Sequence, residues 1–347
     1  MDSQQQQTKD SGTRAKSWLA NVLRYGVPFV ITVGLCWLLF KNMDFGAMVE
    51  AIRERCTWRW IWFGLALSFF SHFIRAARWQ IQLRAINVNV GFFPVLLSIF
   101  GTYAVNLVFP RLGELWRTGY IAQRQKAPFD KVFGSMVADR LADTVSVALL
   151  TLFTFILAGP QLTEYLSQNR AAYETLMAVI TSPWTYAAIA LIVVAVWALM
   201  RRRGSKVTAI KNFCKGLWDG FSVVATMKGR GRWLLLTGAL WSCYFFQLYV
   251  ALFAFPETAE MVHRHGVVAA LFCFVVSSIS MGVPSNGGIG PWQWAIIFGM
   301  SLFSSGVPGL NEVAPAFANL VMGAQTILLI LLGIFTFVAI AIGRRKN

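Results

Sequence analysis

The sequence predicts an all-α polytopic membrane protein with about six full transmembrane helices and two oppositely oriented re-entrant helical hairpins. Three observations carry that prediction. Of 347 residues, 56% are hydrophobic and only 13% are charged, whereas a soluble domain carries roughly 25% charged residues. Apolar runs of bilayer length recur from residue 25 to residue 342,. Two further apolar runs break at proline and glycine and then resume. A mean hydropathy of +0.57 excludes a disordered chain,.

Residues 1–20 read as a polar, disordered tail, and 21–342 as a single transmembrane domain. The first apolar run, Tyr25–Phe40, follows Lys16 and Arg24. It ends in Trp37-Leu38-Leu39-Phe40-Lys41 with no small-residue cleavage site, so it reads as an uncleaved span,. The full-length candidates are 25–40, 58–79, 132–158, 183–200, 233–255 and 314–342. Residues 91–109 run into Pro110-Arg111-Leu112-Gly113-Glu114, and an apolar-periodic piece continues to about 123,. Residues 267–283 run into Pro284-Ser285-Asn286-Gly287-Gly288-Ile289-Gly290-Pro291, and 292–303 follow. In the loop 201–232, residues 206–227 form an amphipathic helix with Val207, Ile210, Phe213, Leu217, Phe221 and Val224 on one stripe. With Lys206, Lys211 and Lys215 around that stripe, it reads either as an interfacial helix favouring anionic lipid or as a connector. Residues 343–347 are a basic tail.

The net charge of +16 suggests nucleic acid in a soluble protein. In a membrane chain it is first a topology signal, because cytoplasmic loops collect Lys and Arg. If both broken runs enter and leave on one side, 24 of the 31 basic residues fall on the side of the termini, five on the other side and two inside spans. This threading puts both termini in the cytoplasm; a strongly bent pair of spans gives the same count. Each half, about 21–160 and 183–342, is then span, span, hairpin, span. Three full crossings per half reverse the orientation of the second half, which is an inverted-topology repeat. No residue-level repeat between the halves is visible in the sequence.

The informative residues are charges where a bilayer disfavours them. Arg111, Glu114 and Arg117 follow the first break, and Asp139, Arg140 and Asp143 lie in the next span. Each mid-membrane charge costs roughly 2.5–3.5 kcal/mol, so such residues pair, face inward and carry function by default. The spacing of three places Arg111, Glu114 and Arg117 along one face of a helix begun by Pro110. Asp139 and Asp143, four apart, share a face with Arg140 turned aside. Two readings stand side by side: an ion network pinning the hairpin to the next span, and a cationic cavity whose arginines grip phosphate through a planar fork. The second hairpin has no charge. Its Gly287, Gly288 and Gly290 allow close approach, and Ser285, Asn286 and Gln293 supply neutral polar groups,. Free N–H groups at such a turn hold an anion equally well as they allow close helix packing. Arg75 and Arg78, three apart at the inner end of the second span, read first as snorkelling interfacial anchors and second as residues lining the entry to the cavity.

Other chemistries have little support. The five cysteines are scattered, without a CxxC,. His263 and His265 have no third ligand nearby, so no metal is expected. No nucleotide-binding loop is present, and no cofactor is implied.

Pro110-Arg111-Leu112-Gly113-Glu114-Leu115-Trp116-Arg117 resembles the P-x-R-x-G-E-x-x-R motif of the lysylphosphatidylglycerol synthase transmembrane-region family. Asp139-Arg140-Leu141-Ala142-Asp143 looks like that family's acidic-Arg-x-x-Asp signature, and Pro284–Gly290 is similar to its late P-x-x-G-G-[IL]-G motif. The resemblance implies a flippase-like membrane domain moving a phospholipid or lipid-linked molecule between leaflets, here without the synthase domain. It implies a bacterial cytoplasmic (inner) membrane location. Where the family often carries Glu after the glycine motif, this chain carries Gln293.

The expected function is therefore transport of an anionic phospholipid or lipid-linked substrate, not catalysis. The substrate-binding candidates are Arg111, Glu114, Arg117, Arg140, Asn286, Gly287, Gly288 and Gln293, with Glu114, Asp139 and Asp143 as orienting or coupling charges. The partners are lipid and membrane, with no nucleic acid. The alternatives are a membrane-embedded lipid-modifying transferase and a non-transporting lipid-binding scaffold.

Overall fold

The computed structural model describes residues 45–168, 227–283 and 285–345, with isolated positions between 170 and 194. The predicted span 25–40 and the amphipathic stretch 206–226 lie outside the described residues, as does most of 183–200.

The described residues form α1 (Phe45–Arg55), α2 (Trp58–Ala85), α3 (Phe92–Val108), α4 (Leu112–Gln125), α5 (Phe129–Leu157), α6 (Gly159–Gln168), α7 (Arg230–Ala251), α8 (Pro256–Ser280), α9 (Pro291–Ser301) and α10 (Leu310–Arg345). A short 3₁₀ turn, Leu252–Ala254, extends α7. Five of these helices are long and apolar enough to cross a bilayer: α2, α5, α7 with its extension, α8 and α10. The fold is all-α and polytopic, as composition and run length predict.

α3 and α4 fold back on one another as the first hairpin. The reason is local. Phe109, before a proline, is extended (φ −124°, ψ 106°), and Arg111 then takes a left-handed conformation (φ 65°, ψ −3°) that reverses the chain,. Pro110 therefore stands outside the helix rather than starting it, a correction to the sequence reading. The return depends on Gly113, where any Cβ would run into the Thr102 carbonyl oxygen of α3. Its N–H donates to Asn106 Oδ1 at 2.8 Å.

The second hairpin differs from its prediction in one respect. Its first limb was expected to follow an outer loop at 256–266; that loop is instead helical. Pro256 opens α8 at its first turn, where a missing N–H costs nothing,. α8 is then broken at Gly266, with φ 67° and ψ −160°. Beyond the break, 267–280 descend to the glycine turn, and α9 returns along them, with Gly299 against Cys273. The 11 residues of α9 rise about 17 Å, half of a hydrocarbon core roughly 30 Å thick,.

The two halves interlock. α2 and α7 run antiparallel along their full length: Thr57 N–H donates to the Ala254 carbonyl at 2.7 Å, Gly64 lies on Gln247, and Arg78 sits over Trp233. Each hairpin lies against the last helix of the opposite half. α3 meets α10 at Ala104 and Gly333, and α8 meets α5 at Phe272 and Phe155. The hairpin tips meet: Gly287 rests on Leu107, and Arg111 Nη2 donates to the Gly282 carbonyl at 2.7 Å.

Candidate functional site

Seven charged side chains from three helices converge where α2, α4 and α5 meet. α5 contributes Asp139, Arg140 and Asp143; α4 contributes Glu114 and Arg117; α2 contributes Arg75 and Arg78. Asp139 and Asp143 lie ten and fourteen residues into α5, about 15–21 Å from its start,. Arg75 and Arg78 lie about 10–15 Å before the end of α2 at Ala85,. Both distances place the cluster inside the two long helices, away from their ends,.

The geometry is a ladder. Arg78 Nη2 donates to Asp139 Oδ1 at 2.6 Å and to Asp143 Oδ1 at 2.7 Å. Arg75 Nη1 donates to Asp143 Oδ2 at 3.0 Å and lies 3.6 Å from Asp139 Oδ2. Its Nε donates to the Tyr244 hydroxyl of α7 at 3.0 Å. Arg140 Nη2 donates to Glu114 Oε1 at 2.6 Å and Nη1 lies 3.8 Å from Asp143. Arg117 is different. Its nearest carboxylate oxygen, Asp139 Oδ2, is 3.5 Å away, and none of its three nitrogens has a hydrogen-bond partner among the described residues. Its guanidinium lies 4.3 Å over the ring of Trp79, which is fixed in turn by Ser135 at 3.1 Å. Such a cation–π contact is worth most when desolvated.

Arg78, Arg117 and Asp139 are 0% exposed, and Arg75 is 4%. The count of signs matters here. Among the described residues, four arginines face three carboxylates, which leaves one positive charge uncompensated, and Arg117 is the member with the poorest pairing.

Five of the residues singled out in the sequence come together here: Glu114, Arg117, Asp139, Arg140 and Asp143. Arg111 does not join them. The common face expected for Arg111, Glu114 and Arg117 assumed a continuous helix, but Arg111 is a left-handed, exposed residue at the tip, turned toward the other hairpin. Arg75 and Arg78 are not interfacial anchors; they are buried partners of both aspartates. The signal was present in α2. Ser68, Ser71, Arg75, Arg78 and Gln82 recur at helical spacing, and a polar stripe that deep marks an interhelical face,.

At the opposite tip, Asn286 begins the turn by accepting Ile289 N–H at 3.2 Å. Gly287 and Gly288 follow with φ 64° and 88°. Gln293 Oε1 accepts Gly290 N–H at 2.7 Å, and its Nε2 donates to Asn319 Oδ1 of α10 at 3.2 Å. These residues reach the first hairpin through Gly287 and the Arg111 bond, not through the charged ladder.

The site is thus a buried ion cluster between the helices of a polytopic membrane protein that carries two helical hairpins. The chain belongs to the lysylphosphatidylglycerol synthase TM region family, whose model matches residues 26–333. It is similar to the UPF0104 membrane protein PH1989 of Pyrococcus horikoshii, 28% identical over 104 residues, which cover 29% of this chain and 31% of that protein. It is also similar to the UPF0104 membrane protein MJ1595 of Methanocaldococcus jannaschii, 26% identical over 99 residues, or 27% of this chain and 30% of that one. The matched part is thus under a third of either relative's length. No solved structure matches the chain.

Proposed function

We propose that this protein is a flippase-like transporter that moves an anionic phospholipid or lipid-linked molecule between the leaflets of a bacterial cytoplasmic membrane, with both termini in the cytoplasm. The observation that carries the reading is the uncompensated charge at Arg117. A buried arginine without hydrogen bonds is expensive to keep, and an anion from the substrate would satisfy it. In this reading Arg117 grips the headgroup and Arg140 assists. Glu114, Asp139 and Asp143 hold the remaining guanidinium groups in position. Arg111 guards the meeting point of the tips, and Asn286, Gly287, Gly288 and Gln293 form the opposing wall. No catalytic step is assigned to any residue.

The test is mass spectrometry of lipids retained by purified protein, wild type beside Arg117→Gln. The wild type is expected to retain an anionic lipid, enriched at least about tenfold over the variant, the effect of losing one charge-assisted contact of roughly 1.4 kcal/mol. The variant gives up the 3.5 Å approach to Asp139 and the contact over Trp79, so its monodispersity after heating is compared with that of wild type before the lipids are read. Identical lipid profiles would leave the cluster a structural ion network and favour a non-transporting scaffold.

A further inference from the structure

The structure supplies the residue-level repeat that the sequence hides. Both second limbs begin after a residue with positive φ, Arg111 at 65° and Gly290 at 93°. Two residues into each limb stands a side chain that reaches the following long helix: Glu114 in α4 and Gln293 in α9. Each finds its partner 26 residues further on, Arg140 and Asn319 respectively. One construction, used twice, joins hairpin to helix with an ion pair in the first half and an amide pair in the second.

The two clasps differ in strength. Glu114 and Arg140 meet at 2.6 Å as a charge-assisted bond, of a type roughly twice as strong as a neutral one,. The same hairpin is tied again through Arg117 and Asp139, and Asp139 is bound in turn to Arg75 and Arg78 of α2. The second hairpin, 267–301, contains no charged residue at all. Its clasp is a 3.2 Å amide contact, and its bond to the other tip comes from the exposed side chain of Arg111. Its turn holds three glycines with positive φ, at 287, 288 and 290. Glycine adopts such angles without the steric cost another residue would meet.

Resting on the transport reading, we propose that the second hairpin is the moving gate of the lipid path. The first hairpin, α2 and α5 form its fixed wall, and Gln293 and Asn319 are the positioning residues whose contact closes the gate. Both sides of the bilayer are then served by motion of one hairpin, not by equal exchange between two.

The test copies the first half's clasp into the second. The double variant Gln293→Glu, Asn319→Arg is compared with Asn319→Ala and wild type. Flux of fluorescent phosphatidylglycerol in reconstituted vesicles is read beside hydrogen exchange of the protein in lipid nanodiscs. In the wild type, 282–301 should exchange faster than 109–125. In the double variant that difference should vanish, and flux should fall about tenfold or more, as a stronger clasp raises the opening barrier. Asn319→Ala, which loosens the clasp from the α10 side, should keep or raise flux. Equal exchange of the two hairpins in wild type overturns the gate, as does undiminished flux in a folded double variant. Wild type that moves no lipid but shows the exchange difference overturns the transport reading and leaves the mobile hairpin standing.

Discussion

Replacing Asp139 by alanine is expected to be the most damaging single change in this protein. Asp139 is fully buried and faces Arg75, Arg78 and Arg117 at once, at 3.6, 2.6 and 3.5 Å. Removing it leaves Arg78 on Asp143 alone, with Arg117 facing no carboxylate within ion-pair distance among the described residues, in a region of low dielectric. Breaking one side of a buried ion pair costs about 3–5 kcal/mol. The expected result is a large fall in the thermal stability of detergent-solubilised protein, measured by the fraction remaining monodisperse after heating. Combining Asp139→Ala with Arg78→Met should restore part of that loss, since an apolar replacement of both partners is often neutral. Wild-type stability in the single variant would mean that solvent or lipid already neutralises these arginines. Asp139→Ala removes the frame that holds the arginines, whereas Arg117→Gln removes the excess charge.

The second large effect is expected at Gly113, and it is steric. A methyl group there has no room, because the Thr102 backbone oxygen and Asn106 Oδ1 already occupy the space. Thr102 is 1% exposed within α3, so it cannot retreat without moving the helix. Gly113→Ala should therefore open the first hairpin and cost at least about 1–3 kcal/mol, the range for overpacking. The Glu114–Arg140 clasp, one residue away, should fail with it. Gly119, further along α4, has nothing within 4 Å of a Cβ position. Gly119→Ala is the matched control and should be neutral or mildly stabilising, given the helix propensity of alanine. Both are read in the same heating assay, with proteolysis near residues 109–113 as a check on local opening. Equal stability of the two variants would refute the close packing of α3 on α4.

The parts of this architecture that were legible in the sequence are those written in local chemistry. Pro110 and the run Gly287 to Gly290 announce the two breaks, because they alter backbone geometry wherever they occur. The four-residue step between Asp139 and Asp143 gives a shared face without any knowledge of the fold. What stayed hidden depends on contacts between distant segments. Arg75 and Arg78 find their carboxylates 61–68 residues away, a distance over which helical periodicity says nothing. The repeat was hidden for a different reason: its conserved quantity is a spacing of 26 residues and a left-handed start, while the chemistry changed from ionic to amide. The helix at 256–265 was missed because its charged and histidine residues resemble a loop in composition.

The interlocking of the halves also bears on how the chain is made. Arg75 is inserted early, yet its hydroxyl partner Tyr244 is encoded 169 residues later. At roughly 5–20 residues per second, the ribosome needs about 8–34 s to deliver it. Asp139 and Asp143 arrive sooner and can shield the arginine in the meantime. The surface on which the first hairpin finally rests, α10, emerges last of all. A nascent first half is therefore a half-built partner holding buried charges for the duration of synthesis.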